Sequence, residues 1–375
     1  MRRERRPDIK TIIAHSDNSF GGKVPDNGGM HRNVLLALLA AALFGASTPL
    51  AQLLLGDLSP WLVAGLLYLG SGLGLGAMRL VRDRGWTSPG LARAEWPWLL
   101  GAIFFGGVLG PVALMFGLTR TSGTAASLLL NLEAVLTALI AWVVFKENAD
   151  RRIVWGMVAI VAGGLVLSWP TQSTATTGGV GPLLVGVACL CWAIDNNLTR
   201  KVSASDALFI AGSKGLIAGI VNTALAVALG ASWPHMGPLL GTLTVGLLGY
   251  GFSLVLFVLA LRGLGTARTG AYFATAPFIG AALSLWLMGD STSLALWLAA
   301  GLMGVGVWLH LTEQHGHEHT HEPLEHVHSH VHDAHHQHPH DFPWSGRGAH
   351  VHPHQHAAMR HKHSHFPDIH HRHRH

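Results

Sequence analysis

Residues 128–147 read LLLNLEAVLTALIAWVVFKE, an apolar run whose one internal charge is the carboxylate of Glu133. About 20 mainly apolar residues are the length at which a helix crosses roughly 30 Å of hydrocarbon. Similar runs follow one another from residue 34 to residue 311, with short connections between them. This pattern predicts an all-α polytopic membrane protein that carries most of its function within the bilayer.

We predict ten transmembrane helices. Their expected positions are residues 34–55, 60–79, 96–118, 122–144, 152–169, 180–198, 207–229, 237–260, 266–288 and 292–311. The basic residues in or beside the even-numbered connections are Arg79, Arg82, Arg84, Arg93, Lys146, Arg151, Arg152, Arg200, Lys201, Arg262 and Arg268. The odd-numbered connections hold only Arg120. The positive-inside rule therefore predicts that both termini lie in the cytoplasm, and we expect the protein in the plasma (inner) membrane.

The composition argues against other classes of protein. Of the 375 residues, 12% are Asp, Glu, Lys or Arg and 49% are hydrophobic, whereas soluble domains carry about 25% charged residues. The net charge of +5 divides into +3 on residues 1–33, +4 on 34–312 and −2 on 313–375. Because no segment is a dense basic patch, we expect no nucleic-acid partner. A nucleotide-binding loop, a membrane-protease motif and paired catalytic carboxylates are also missing, which predicts a protein that is not an enzyme.

An internal repeat relates the two halves of the membrane domain. A shift of 143 positions aligns Gly106 with Gly249, and a shift of 148 aligns residues 44–46 with 192–194. Because each repeat has five helices, an odd number, the second copy enters the membrane from the opposite side, as in inverted-repeat transporters. At the shift of 143, Glu133 faces Ala276, so this carboxylate is not duplicated.

Five segments follow from the composition and the repeat. They are a disordered basic N-terminal arm (1–33), a first five-helix repeat (34–169), a linker (170–179), a second five-helix repeat (180–312) and a His-rich, disordered cytoplasmic tail (313–375).

Three stretches of the membrane domain resemble a known transporter family. They are LLLNLEAVLTALIAWVVFKE (128–147), GMVAIVAGGLVL (156–167) and CWAIDNNLTRK (191–201), set in the five-plus-five helix plan. In these features the chain resembles the EamA-type transporters of the drug/metabolite transporter (DMT) superfamily over about residues 34–310. The resemblance implies their fold and a transport function. It leaves the substrate open, because the superfamily moves amino acids, metabolites, nucleotide sugars and drugs.

Polar side chains inside the spans are the candidate substrate-binding or coupling residues, since a charge at mid-helix costs on the order of 2.5–3.5 kcal/mol. The candidates are Glu133, Asn131, Lys214, Asp195 and Asn196, with the aromatic residues Trp192, Tyr250 and Tyr272 as cavity walls. We interpret Glu133 as a substrate-binding or proton-coupling group, with an ion pair to Lys214 as the alternative. For Asp195 we expect either ligand contact or pairing with Arg200 or Lys201. Snorkelling to the headgroups is the alternative for Lys214.

The C-terminal tail holds 23 of the 27 histidines, mostly at alternating positions. The candidate metal ligands are His315, His317, His319, His321, His326, His328, His330, His332, His350, His352, His354 and His356. In an extended chain, alternate side chains project to one side about 6.6–7 Å apart, so that several imidazoles reach one Zn²⁺, Ni²⁺, Co²⁺ or Cu²⁺ ion. The alternatives are a low-complexity extension without a role and a polyelectrolyte that gains charge near pH 6.5.

Three functional hypotheses result. The first is a secondary transporter that moves a small metabolite or drug-like solute by alternating access. Export is the expected direction, and no cofactor is required. The second is a divalent-metal efflux protein whose His-rich tail collects or senses the ion. The third is a membrane metal buffer or sensor that transports nothing. The expected partners are the lipid bilayer, a small-molecule substrate and metal ions on the tail, and a homodimer is left open.

Overall fold

The computed structural model describes residues 27–144, 151–169, 179–202, 205–264 and 266–312, and in the tail residues 316–321, 324–330, 350–356 and 359–364. The helices of the first repeat are α1 (Asn27–Leu54), α2 (Pro60–Asp83), α3 (Trp96–Ala102), α4 (Gly110–Leu118), α5 (Gly123–Leu129), α6 (Leu132–Val143) and α7 (Arg151–Ser168). Those of the second are α8 (Val180–Thr199), α9 (Ala207–Ala228), α10 (Met236–Gly246), α11 (Ser253–Leu264), α12 (Thr266–Phe273), α13 (Ala276–Met288) and α14 (Leu294–Leu311).

The helices agree with the predicted spans. Within the described residues, eight helical segments are long and apolar enough to cross a membrane, and Ala276–Met288 and Leu294–His310 are shorter apolar helices. For the membrane domain, the prediction of an all-α polytopic membrane protein is confirmed. The helix α1 begins inside the segment 1–33 that was predicted as a disordered arm, because a nucleated helix gains one hydrogen bond for each residue added. Residues 1–26 lie outside the described part of the chain.

Matching irregularities show that the two halves share one fold. The third span of each repeat contains a π-helix, at Ile103–Leu109 (π1) and at Leu247–Phe252 (π2), which are related by the predicted shift. The fourth spans are both interrupted, at residues 130–131 and 274–275. Packing follows the same symmetry, since α1 lies against α11 as α8 lies against α4. Each repeat therefore packs its first span on the third span of the other.

The close crossing of α2 and α9 joins the two repeats at their centre. Gly72 and Gly215, which the shift of 143 aligns with each other, face one another there, and a Cβ on Gly215 would lie 2.6 Å from the Gly72 Cα. Small residues permit this approach in a bilayer, where lipid tails provide no hydrophobic drive for helix association. The crossing brings α9 and its lysine, Lys214, next to the third span of the first repeat.

We expect Gly215→Ala to destabilise the protein, because the new methyl group meets backbone atoms of α2 that cannot move aside. Overpacking of this kind costs about 1–3 kcal/mol. The matched control is Gly186→Ala in α8, where an added Cβ has no atom within 4 Å. Melting curves of the detergent-purified variants measure the difference. Equal melting temperatures for the two variants would show that the crossing is not tightly packed.

A charged cluster ties α2 to the start of α9. The guanidinium of Arg79 is buried; it donates to Asp206 over 2.9 Å and to the Thr87 carbonyl over 2.8 Å. Asp206 also accepts from the Leu208 N–H and so caps α9. Burial raises the pKa of the Asp206 carboxyl, but the hydrogen bonds from Arg82 and Arg79 outweigh burial and hold the pKa below its ordinary value.

This lowered pKa gives a pH dependence of stability. A carboxylate with a depressed pKa in the folded state stabilises fully above about pH 5, and its contribution is lost as the pH falls through the folded pKa. Asp206→Asn should therefore melt below the wild type at pH 7, and the difference should shrink as the pH falls towards 3. A difference that stays constant over this range would exclude the linkage.

The tail contains short strands rather than the disorder predicted for residues 313–375. Among its described residues, β1 (Gly316–His321) pairs with β4 (Met359–Ser364), and β2 (Leu324–His330) pairs with β3 (His350–His356), both antiparallel. The physical reason is that the alternating sequence has the two-residue period of a strand and that pairing satisfies the backbone groups. His315 and His332 lie outside the described residues.

Candidate functional site

An ion pair between α8 and α9 lies in the described interior of the membrane domain. The Lys214 ammonium lies 2.6 and 2.7 Å from the two carboxylate oxygens of Asp195, and the Thr199 hydroxyl donates to Asp195 over 2.9 Å. The Asp195 and Lys214 side chains are 8% and 18% exposed. The alternative pairing of Lys214 with Glu133 is therefore wrong, because α8 and α9 both pack on π1, which brings the lysine to Asp195 instead.

Glycines of π1 make room for this pair. A Cβ on Gly106 would overlap the Asp195 carboxylate, and one on Gly107 would lie 3.4 Å from the Lys214 Cγ. The equivalent glycine of the second repeat, Gly249, faces Ser47, which is the residue that the shift of 148 aligns with Asp195. The charged pair thus occupies one of two related positions, and a serine occupies the other. The site is asymmetric although the scaffold is symmetric.

Pro111 explains the side-chain hydrogen bonds around π1. Proline has no N–H, so the carbonyl of Gly107, four residues earlier, lacks its α-helical donor, and the Gly110 N–H donates to Phe105. Side chains replace these donors. Tyr68 Oη and Trp192 Nε1 donate to the Gly106 carbonyl over 2.7 and 2.9 Å, and Asn222 Nδ2 donates to the Gly107 carbonyl over 3.2 Å. Side chains of both repeats therefore hydrogen-bond to the carbonyls that the π-helix and Pro111 leave free in the third span.

Glu133 stands in the first turn of α6, directly after the interruption of the fourth span. Its Oε1 accepts a hydrogen bond from Asn196 Nδ2 over 2.8 Å, and Asn196 Nδ2 also lies 3.4 Å from the Thr137 hydroxyl. Glu133 is half-buried and within electrostatic reach of Asp195 and Lys214. Because Lys214 neutralises Asp195, the three groups together carry one net negative charge when Glu133 is ionised and none when it is protonated. This arrangement can hold a cation or a proton.

Aromatic rings line the contact between the repeats beside this cluster. The Tyr250 ring, on π2, lies 5.6 Å from the Tyr68 ring and 5.9 Å from the Phe44 ring. Phe44 also packs on Phe273, at the end of α12, with ring centroids 5.4 Å apart. A small cavity lies nearby, between α1 and the interrupted fourth spans, and is lined by Phe44, Gly45, Thr48, Ser127, Leu130, Ala276 and Pro277.

The structure brings together five of the predicted site residues, namely Glu133, Asn196, Asp195, Lys214 and Trp192. Asn131 is buried at the interruption of the fourth span, where its amide donates to the Leu128 carbonyl over 2.8 Å and so replaces a lost helical bond. Tyr250 faces Tyr68 across the repeats. Tyr272 is half-buried near the end of α12, and the contacts described for the membrane domain do not join it to the other candidates.

Sequence reasoning missed several residues of the site. Tyr68 is an aromatic residue with a hydroxyl inside a span, so the criterion that selected Tyr250 and Tyr272 selects it too. Asn222 is an amide within an apolar run, which is an equally readable signal. The carbonyl of Gly106 carries no signal of its own. Its position five residues before Pro111 indicates only that a helical donor is missing nearby.

Among the described residues, no group of three or more His, Cys, Asp or Glu side chains is arranged to hold a metal ion. His310, at the end of α14, lies 3.0 Å from the Ile153 carbonyl through Nε2 and thus serves the packing of α14 on α7.

Comparison with known proteins gives relatives that are transporters by name. An uncharacterized transporter of Methanothermobacter thermautotrophicus is 24% identical over 306 residues, which cover 76% of this chain and 88% of that protein. The uncharacterized transporter YyaM of Bacillus subtilis is 25% identical over 266 residues, or 66% of this chain and 84% of YyaM. The probable 4-amino-4-deoxy-L-arabinose-phosphoundecaprenol flippase subunit ArnE of Pseudomonas aeruginosa is 38% identical over 117 residues, which cover 31% of this chain and 95% of ArnE.

Among the solved structures with a similar fold is a crystal structure with a TM-score of 0.56 and 19% sequence identity, which covers 74% of this chain and 95% of the matched chain. The model of the EamA-like transporter family matches twice, at residues 31–169 and 179–312. These two matches cover the two five-helix halves, and the resemblance found in the sequence is confirmed. The chain belongs to the EamA-like transporter family.

Proposed function

We propose that this protein is a secondary transporter that exports a small solute by alternating access, with Glu133 as its binding and coupling group. The proposal rests on Glu133, a half-buried carboxylate between the repeats that accepts a hydrogen bond from the Asn196 amide. The nearby Lys214 forms its ion pair with Asp195 instead. A charge is expensive within a bilayer, so a carboxylate there that forms no ion pair with the described residues is a functional group by default.

Competition between a proton and the solute for the Glu133 carboxylate couples the movement of one to the movement of the other. An ionised carboxylate only accepts hydrogen bonds, whereas a protonated one also donates. If a proton and a solute cation use the same group in turn, each displaces the other, and their movements across the membrane run in opposite directions. Two inverted halves with one shared site provide the two conformations that this exchange needs.

The net negative charge of the cluster supports a solute with an amino or other cationic group. The aromatic faces of Tyr68 and Tyr250 add to this preference, because cations are attracted to ring faces when desolvated. The ArnE relatives are named as subunits of a flippase for a lipid-linked amino sugar, which is in line with a polar, amine-bearing substrate. We propose the plasma (inner) membrane as the location of the protein, with both termini cytoplasmic because of the excess of basic residues in one set of loops, and we assign it no enzymatic reaction.

Untargeted profiling of metabolites and metals in a deletion strain and an overexpressing strain tests the proposal. We expect amine-bearing metabolites to accumulate in the deletion strain and to fall in the overexpressing one. If only the contents of Ni²⁺, Co²⁺ or Zn²⁺ change, the metal-efflux hypothesis replaces ours. If the overexpressing strain retains metal and the metabolites stay constant, the protein acts as a metal buffer.

A further inference from the structure

The register of the tail strands aligns histidines across the β2–β3 pair. His326 lies opposite His354, His328 opposite His352 and His330 opposite His350. The residues between them form other pairs, Glu325 with Gln355, Val327 with Pro353 and Ser329 with Val351. Since residues two apart share a face of a strand, the three histidine pairs belong to one face of this sheet.

Such a face has the dimensions of a metal site. Directly opposite residues of an antiparallel pair have Cβ atoms about 4.5–5.5 Å apart, and diagonal neighbours about 7–8 Å. Two adjacent histidine pairs therefore offer four imidazoles within reach of one ion. Tetrahedral coordination of Zn²⁺ by nitrogen, at about 2.0–2.1 Å, fits this number of ligands.

We propose that the β2–β3 pair is a binding site for a divalent transition metal, with His326, His328 and His330 on one strand and His350, His352 and His354 on the other. The proposal rests on the backbone register of the two strands and not on a preformed cluster of ligands. The ion draws the imidazoles together on binding. Imidazole suits Zn²⁺, Ni²⁺, Co²⁺ and Cu²⁺. The site is separate from the membrane cluster around Glu133 and does not depend on the proposed transport function.

The β1–β4 pair is the weaker candidate. Only two histidine pairs align there, His317 with His363 and His319 with His361, and the third histidine, His321, faces Met359. A face with two pairs offers one set of four imidazoles, whereas the β2–β3 face offers two overlapping sets. We therefore expect the tightest binding at β2–β3.

Titration of the full-length, detergent-purified protein with Zn²⁺, and separately with Ni²⁺, tests this site. The paired-set variant replaces the aligned histidines by glutamine, namely H326Q, H328Q, H330Q, H350Q, H352Q and H354Q. The matched control removes the same number of histidines elsewhere in the tail, namely H335Q, H336Q, H338Q, H340Q, H370Q and H371Q. Both variants keep the membrane domain unchanged, and its melting temperature verifies this.

In a background that also carries H317Q, H319Q, H361Q and H363Q, which removes the four imidazoles of the β1–β4 face, we expect the paired-set variant to bind with an apparent Kd at least about tenfold weaker than that background and the control to stay within about twofold. Equal weakening in both variants would overturn the proposal, because a polyhistidine tail without register loses affinity in proportion to the histidines removed. Unchanged binding in the paired-set variant, or a larger loss in the control, would overturn it as well.

Discussion

Glu133→Gln is expected to reduce solute flux in proteoliposomes by about 10- to 100-fold while the protein remains folded. Glutamine keeps the size of the side chain and an oxygen that accepts from Asn196, but it has no charge and does not exchange a proton. A hydrogen bond to a charged group contributes about 1.5–3 kcal/mol, and each 1.4 kcal/mol is about tenfold in affinity. Flux of the solute that the profiling identifies, driven by a pH gradient, measures the loss.

The matched control is Asp57→Asn, which removes an exposed carboxylate from the connection between α1 and α2. This variant should transport at the wild-type rate. Thermal unfolding of both variants separates a lost function from a lost fold. Full flux by the Glu133→Gln variant across the panel of candidate solutes would remove this residue from the mechanism.

Breaking the ion pair between Asp195 and Lys214 is expected to have the largest effect on stability. The two side chains are 8% and 18% exposed, so removing one partner leaves a largely buried charge without compensation. Such a change costs about 3–5 kcal/mol in protein interiors. Lys214→Met alone and Asp195→Asn alone should each lower the melting temperature and the yield of folded protein.

The double variant, Asp195→Asn with Lys214→Met, should recover much of this loss, because neither remaining side chain carries a charge. Replacement of a buried pair by uncharged residues is often close to neutral. A double-mutant cycle on melting temperatures measures the coupling between the two residues. Additive losses in the double variant would show that the pair is not coupled as the 2.6 Å contact implies.

The fold was predictable because its signals are local or periodic. The length of each apolar run determines whether a helix spans the bilayer, and the shift of 143 between Gly106 and Gly249 locates the repeat, which the two π-helices then display. Pro111 likewise marks the place where the third span departs from α-helical bonding.

The pairing within the site was less predictable. Sequence shows that Glu133, Asp195 and Lys214 are costly in a membrane, but not which of the two carboxylates the lysine contacts, since that choice depends on how α8 and α9 each pack on π1. The same limit applies to Asn196, whose partner Glu133 lies 63 positions away. In the tail, alternation predicted which histidines share a face of one strand, whereas the register between β2 and β3 required the structure.

Access to the site from the two sides of the membrane is the most direct test of the central claim, that the cluster around Glu133 alternates between them. Thr137 lies one helical turn from Glu133 and 3.4 Å from Asn196, and the two native cysteines, Cys189 and Cys191, are free and buried. A Thr137→Cys variant in a background with Cys189→Ala and Cys191→Ala therefore has one reporter thiol. Labelling with a membrane-impermeant maleimide in right-side-out and inside-out vesicles measures the exposure of this thiol to each side.

We predict that the thiol reacts from both sides of the membrane, and that addition of the identified solute raises one labelling rate and lowers the other. Reaction from one side only, whatever the solute and the pH, would contradict alternating access at this site.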